Sequence, residues 1–228
     1  MVPRIEPAGW AAMAAALRAR VEPRLVEVGE KLGGSPLPSH DANDQDMGDY
    51  LLALDAYAAA GKVFDDADGL LDLAGVFVLL DIAAARFRAA AVRRAGHRPQ
   101  HASKRCFLNP LHGAAAHEHE HHGKGARNGK RRDPRQAAAA RPRVPVCAEC
   151  LRRLKANQMP DALVVPITMT ARRKSITGVP VPYYLLAPER SLWVATGFGS
   201  ARGSSEADLV ARVLRGEYRV ARTDEMDR

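Results

Sequence analysis

CFLNPLHG (residues 106–113) and RVPVCAECLRRLKAN (residues 143–157) are the two stretches whose reading decides the fold of the second half of this chain. Between them they use all three cysteines of the sequence and add His112. Zinc prefers four tetrahedral nitrogen or sulfur ligands, and a structural site leaves no coordination position open. In Cys147-x2-Cys150 the two intervening residues make a turn tight enough to bring both sulfurs to one ion. The pair follows an apolar strand, Val144 to Val146, and opens a short helix, Cys150 to Asn157. At a helix start, unpaired N–H groups and the helix dipole both favour thiolates. Strand, Cys-x2-Cys and helix form the second half of a treble-clef-like zinc site, and the proline-containing turn at 106–113 supplies the first half. The sequence therefore predicts a structural Zn2+ held by Cys106, His112, Cys147 and Cys150. The histidine is the less fixed ligand, because His101 and His117 are also within reach along the chain.

Two other uses of these residues compete. Cys106 can be a buried core thiol with Cys147 and Cys150 as a redox pair, but redox Cys-x2-Cys motifs belong to a βαβ setting that these surroundings do not provide. A catalytic zinc would need an open position and a nearby acid or base. Glu149 lies between the cysteines, but a glutamate beside structural ligands is common.

Three cysteines are too few, and an odd number, for a disulfide framework, which favours reduced thiols and a cytoplasmic setting. No stretch of about 18 uncharged apolar residues is present, and the start MVPRIEPAGW lacks a signal-peptide layout. The net charge of +8 is unevenly spread: residues 1–96 carry 10 Lys/Arg and 14 Asp/Glu, and residues 97–228 carry 24 and 12. That break predicts a helical domain at 1–97 and a zinc-binding α+β module at 98–218, followed by a flexible tail at 219–228.

The first region reads as antiparallel helices. Trp10, Met13, Leu17, Val21, Leu25, Val28 and Leu32 share one face of a helix over Gly9 to Leu32, which Pro23 should kink or split. A second helix is expected from about Asp46 to Lys62. A third, from Leu70 to about Ala95, carries the clearest seam: Leu70, Leu73, Phe77, Leu80, Ala84, Phe87 and Ala91. That seam suits a hairpin or small bundle, with a homodimer through helix 70–91 as the alternative.

Periodicity vanishes from Gly113 to Arg143, so a disordered His/Arg-rich insert is expected there. His117, His119, His121 and His122 form a run able to bind further metal, or simply a solvated one. Lys124 to Arg143 holds eight basic residues against Asp133 alone. Lys124, Arg127, Lys130, Arg131, Arg132 and Arg135 are candidates for anion or nucleic-acid contact through phosphate charge, without an aromatic to stack on bases. Beyond the insert, Ala162 to Met169, Val179 to Leu186 and Ser191 to Thr196 read as strands. Ser204 or Ser205 caps a last helix ended by Gly216.

The motif C-F-x-N-P-L-H-G followed by Cys147-x2-Cys150, with Pro182-Tyr-Tyr184 and the run Trp193 to Gly199, resembles a group of uncharacterised proteins from high-GC bacteria. The likeness covers about residues 100–215 and, more loosely, the helices at 50–90. It implies a bacterial source and brings no activity with it. The long insert departs from a shorter loop in that group.

The expected fold is α+β: an N-terminal antiparallel helical region and a C-terminal zinc-stapled, treble-clef-like module with a small antiparallel sheet and a final helix. The expected function is a non-catalytic, zinc-stabilised interaction or adaptor protein with a protein partner. Sequence-nonspecific nucleic-acid binding through 124–143 and metal handling through 117–122 are the alternatives.

Overall fold

The structure is a computed structural model and describes residues 4–34, 44–100, 104–120, 143–171 and 174–219. Three long helices, α1 (Pro7–Gly33), α2 (Asp44–Asp66) and α3 (Leu70–Arg94), form the body of the molecule. Alanine decides how closely they pack. Ala53, Ala56, Ala59 and Ala60 of α2, with Ala74 and Ala83 of α3, are fully buried, so α2 and α3 lie against each other along their length. Small side chains permit this because interhelical distance follows the residues at the contact. At Gly29 of α1 a Cβ would sit 2.3 Å from the Tyr57 hydroxyl, so any larger residue there would have to displace the Tyr57 ring.

Pro23 does not split the first helix: α1 runs through it. Pro23 is exposed, so water can satisfy the carbonyl that loses its partner. The seam on α3 packs as the hairpin reading expected. Leu70, Leu73 and Leu80 are buried, and Phe77, Ala84 and Phe87 are partly buried against the same core. A dimer through that seam would require this core to open.

After α3, a turn over Pro110–His112 leads to β1 (His117–Glu120), which pairs antiparallel with β2 (Arg143–Val146). The disorder expected from Gly113 onward therefore starts too early. His117 to Glu120 is a strand in register with Val146 to Arg143, and its alternating HEHE pattern is what a sheet edge accepts. α4 (Ala148–Lys155) follows, then the hairpin of β3 (Val164–Ala171) and β4 (Lys174–Pro182), with a register irregularity between Ile167 and Met169. Two short helices close the described chain: α5 (Leu192–Thr196) and α6 (Glu206–Leu214).

Two expectations are corrected here. Ser191 to Thr196 is helix α5, not strand: Ser191 Oγ accepts from Trp193 N at 3.2 Å, and Gly197 ends the turn at φ 53°. Local capping outweighed the β-branched and aromatic composition. The end of Val179 to Leu186 likewise leaves the strand, since Tyr183–Leu185 is a 3-10 turn.

The composition break at residue 97 does not divide the core. A single buried cluster runs from Trp10 through the helices to Leu163, Tyr183, Trp193, Leu209 and Tyr218. Trp193 lies against Gly75, where a Cβ would come within 2.5 Å of its ring, and donates its indole N–H to the buried Asp72 carboxylate at 2.9 Å. α6 packs on α2, Lys62 Nζ donates to Leu214 O at 2.8 Å, and Tyr218 OH donates to Asp66 at 2.5 Å. The C-terminal elements thus complete the helical body, while a second, smaller cluster of Cys106, Phe107, Leu108, Val144, Val146 and Cys150 surrounds the sulfurs. Of the expected tail, Arg219 is bonded to Asp66, and residues 220–228 lie outside the described ones. Among the described residues no helix is long and apolar enough to cross a membrane.

Candidate metal centre

The segment before and after the 3-10 turn folds back on itself as a narrow loop. Cys106 N donates to Gly113 O at 3.0 Å, Ala115 N donates to Lys104 O at 2.7 Å, and Arg105 and Ala114 form a bridge pair. Asn109 starts the turn, its side-chain oxygen accepting from Leu111 N at 3.1 Å. Gly113 leaves it at φ 82°, a conformation that disfavours any side chain. These two residues explain the motif: Asn109 and Gly113 reverse the chain so that His112 faces back toward Cys106. Phe107 N donates to Pro145 O at 2.8 Å and Ala116 N to Val146 O at 3.2 Å, which brings the loop alongside β2.

From the other side, β2 delivers Cys147 to the N-cap of α4. Its sulfur accepts from Cys150 N at 3.4 Å, the N–H···S contact that the helix start was expected to supply. The result is a cluster. The sulfurs of Cys106, Cys147 and Cys150 and a ring nitrogen of His112 all lie within 4.8 Å of one another. His112 Nδ1 is 3.5 Å from Cys147 Sγ and 3.4 Å from Cys150 Sγ. A tetrahedral ion with Zn–S and Zn–N lengths of about 2.3 and 2.0–2.1 Å would set nitrogen and sulfur roughly 3.5 Å apart. The donor set therefore has the identity of a metal site, and the two nitrogen–sulfur distances from His112 match such a site. All three cysteines are free thiols, with Cys106 and Cys150 buried.

One residue that the sequence reading missed completes the site. Asp161 Oδ2 lies 3.1 Å from His112 Nε2, opposite the nitrogen that faces the sulfurs. A carboxylate there holds Nε2 protonated and leaves Nδ1 free to donate its lone pair. Nothing in the sequence marks Asp161, which falls after α4 in an irregular stretch. Asp161→Ala is expected to weaken metal affinity by about 10- to 100-fold, read by competition with a chromophoric chelator, without unfolding the helices.

Glu149 is not aimed at the cluster. Arg152 and then Arg153 bond its carboxylate on the exposed side of α4 and hold its pKa at about 2. Free of metal, the Cys150 thiol is pushed above its ordinary 9.0, first by burial and then by Cys106 and Cys147. A folded-state pKa raised in this way favours the metal-free fold up to the ordinary thiol range and weakens it as pH rises beyond. A bound cation reverses the preference by stabilising thiolates, so binding displaces protons. Metal affinity should accordingly fall steadily as pH drops below the thiol range, while the raised Cys150 thiol should itself weaken the chelated protein on the alkaline side. Titrations at several pH values would check both.

A buried aromatic, Tyr183, helps tie the site to the main core. Tyr183 is fully buried, donates its hydroxyl to Phe107 O, and packs edge-on against Phe198 at 5.1 Å. Burial pushes its phenol pKa up, keeping the donor neutral. Tyr183→Phe should cost about 1–3 kcal/mol in chemical denaturation, because it strands a buried carbonyl.

Of the other sequence candidates, His117 and His119 lie on β1 with registry partners Val146 and Val144. Among the described residues they join no cluster of three or more ligands. His101, His121, His122 and the basic residues Lys124, Arg127, Lys130, Arg131, Arg132 and Arg135 lie outside the described residues.

The architecture and site together define a mixed helical protein with small antiparallel sheets and a Cys3His cluster placed to hold a metal ion. Set against known proteins, the chain matches no family model, no curated protein and no solved structure.

Proposed function

We propose that Cys106, His112, Cys147 and Cys150 hold one structural Zn2+ in a treble-clef-like module, and that the chain is a non-catalytic interaction protein. The observation that carries this reading is the donor set: three sulfurs and one imidazole nitrogen gathered within 4.8 Å of one another. Sulfur-rich ligation selects zinc over the hard cations magnesium and calcium. Four protein donors fill the tetrahedron, so no coordination position is left for a substrate, as is typical of structural sites. The turn of 106–113 and the first turn of α4 meet as the two halves of such a module do.

The zinc would act on folding rather than on chemistry. Among the described residues, the small cluster around the sulfurs holds Phe107, Leu108, Val144 and Val146 as buried apolar side chains besides the cysteines. That is too little to order the loop and the β1–β2 hairpin unaided, and metal-binding free energy becomes folding free energy in such cases. The module would then present a rigid surface beside the helical body to a protein partner. Hydrogen exchange of the full chain with and without chelator tests the structural role. Protection should be lost across 104–120 and 143–161 and kept in the cores of α2 and α3. Protection unchanged on complete metal removal would refute it.

A further inference from the structure

A cleft of about 960 Å³ lies between the C-terminal half of α3, the residues Arg98 to Gln100 with Lys104 and Arg105, and the turn that starts α6. Its lining carries Arg86, Arg88, Arg93, Arg98, Lys104 and Arg105 against three carboxylates, Asp49, Asp81 and Glu206, a net charge of +3.

The carboxylates are already committed to the walls. Asp49, almost wholly buried, is shared between Arg86 at 2.9 Å and Arg93. Glu206 takes two bonds from the same Arg86, at 2.9 and 2.6 Å. Asp81 is shared between Arg24 and Arg105. These contacts fix the guanidinium planes, and a guanidinium carries five N–H donors, more than one carboxylate contact consumes. At the mouth, Arg88, Arg98 and Lys104 are exposed and form no ion pair among the described residues. Pre-set arginines below and unspent cations above are the arrangement that accepts a multiply charged oxyanion.

We propose that this cleft binds a phosphate-bearing ligand, with phosphoryl oxygens meeting Arg88, Arg98 and Lys104 over the Arg86–Arg93 wall. The volume is within the range of about 300–1,000 Å³ usual for small-molecule sites, which favours a nucleotide-sized molecule. A phosphodiester backbone offers the same oxygens, and the test separates the two sources. The cleft's lining residues are other than the basic residues of 124–143, and the proposal does not depend on the identity of the metal.

The test is calorimetric titration of the full metal-loaded chain at low salt with inorganic pyrophosphate, ATP and a single-stranded oligonucleotide. At least one should bind, and binding should weaken by roughly tenfold or more in the R88E/R98E double variant while surviving deletion of residues 121–142. Binding of pyrophosphate or ATP assigns a free phosphate ligand; binding of the oligonucleotide alone assigns a nucleic-acid backbone. The altered residues are exposed, so matching thermal unfolding midpoints will show that the variant is folded. Should it not fold, Lys104→Glu replaces it with the same expectation. No binding of any probe at millimolar concentration, affinity unchanged in the charge-reversed variant, or affinity abolished by the deletion would overturn the proposal.

Discussion

Cys147→Ser is expected to release the metal and to unfold the module around it, the largest effect of any single substitution considered for this chain. Cys147 is both a donor to the cluster and the N-cap of α4, where its sulfur accepts from Cys150 N. Serine can keep the cap but cannot serve as a thiolate ligand. Structural zinc sites contribute apparent binding free energies of about 10–16 kcal/mol near neutral pH, and loss of one ligand forfeits a large part of it. The remaining buried apolar side chains there are few, and Cys106 and Cys150 would stay behind in a pocket shaped for an ion. Metal content of the purified variant should drop from near one per chain toward zero. Its near-native helical circular dichroism should persist, because the main cluster of α1, α2 and α3 excludes these sulfurs. Full metal content in the variant would mean that Cys147 is not a ligand.

The second large effect is expected at Trp193. Its ring is 1% exposed, stacks on Phe198 at 5.5 Å, and fills the notch left by Gly75, while its N–H satisfies Asp72. Trp193→Ala removes that volume and leaves a buried carboxylate without its indole donor. Truncations of this size cost about 3–5 kcal/mol. For a chain of this length the melting temperature should fall by roughly 10 °C. The residue belongs to α5, far along the sequence from the helices it supports, so the variant also probes how the molecule is divided. One continuous core predicts a single cooperative transition shifted as a whole. Two separable domains at residue 97 would instead give an unchanged helical transition beside a weakened second one.

The legible parts of this chain were those fixed by local rules. The seam on α3 and the apolar face of α1 follow from helical spacing and burial, and most of each is buried, whereas Met13 and Ala91 at these faces are exposed. The candidate donors were legible because thiols are scarce and ligand spacing is constrained by coordination geometry; the four residues expected are the four brought together. Composition misled in two places. Leu192 to Thr196 has strand-like residues, yet the Ser191 cap and the left-handed Gly197 make it a helix turn. The charge break near residue 97 marks a change in surface, whereas the core is set by residues such as Trp193 and Leu209 that return to α2 and α3. Long-range contacts of this kind leave no periodic trace, and neither does Asp161, which acts on His112 from an irregular stretch.

X-ray absorption at the zinc edge of the purified full chain addresses the central claim most directly. Three sulfurs near 2.3 Å and one nitrogen at about 2.0–2.1 Å, with no light-atom fifth or water ligand, is the predicted shell. A shell of nitrogen and oxygen alone, or one with a bound water in place of a sulfur, would contradict it.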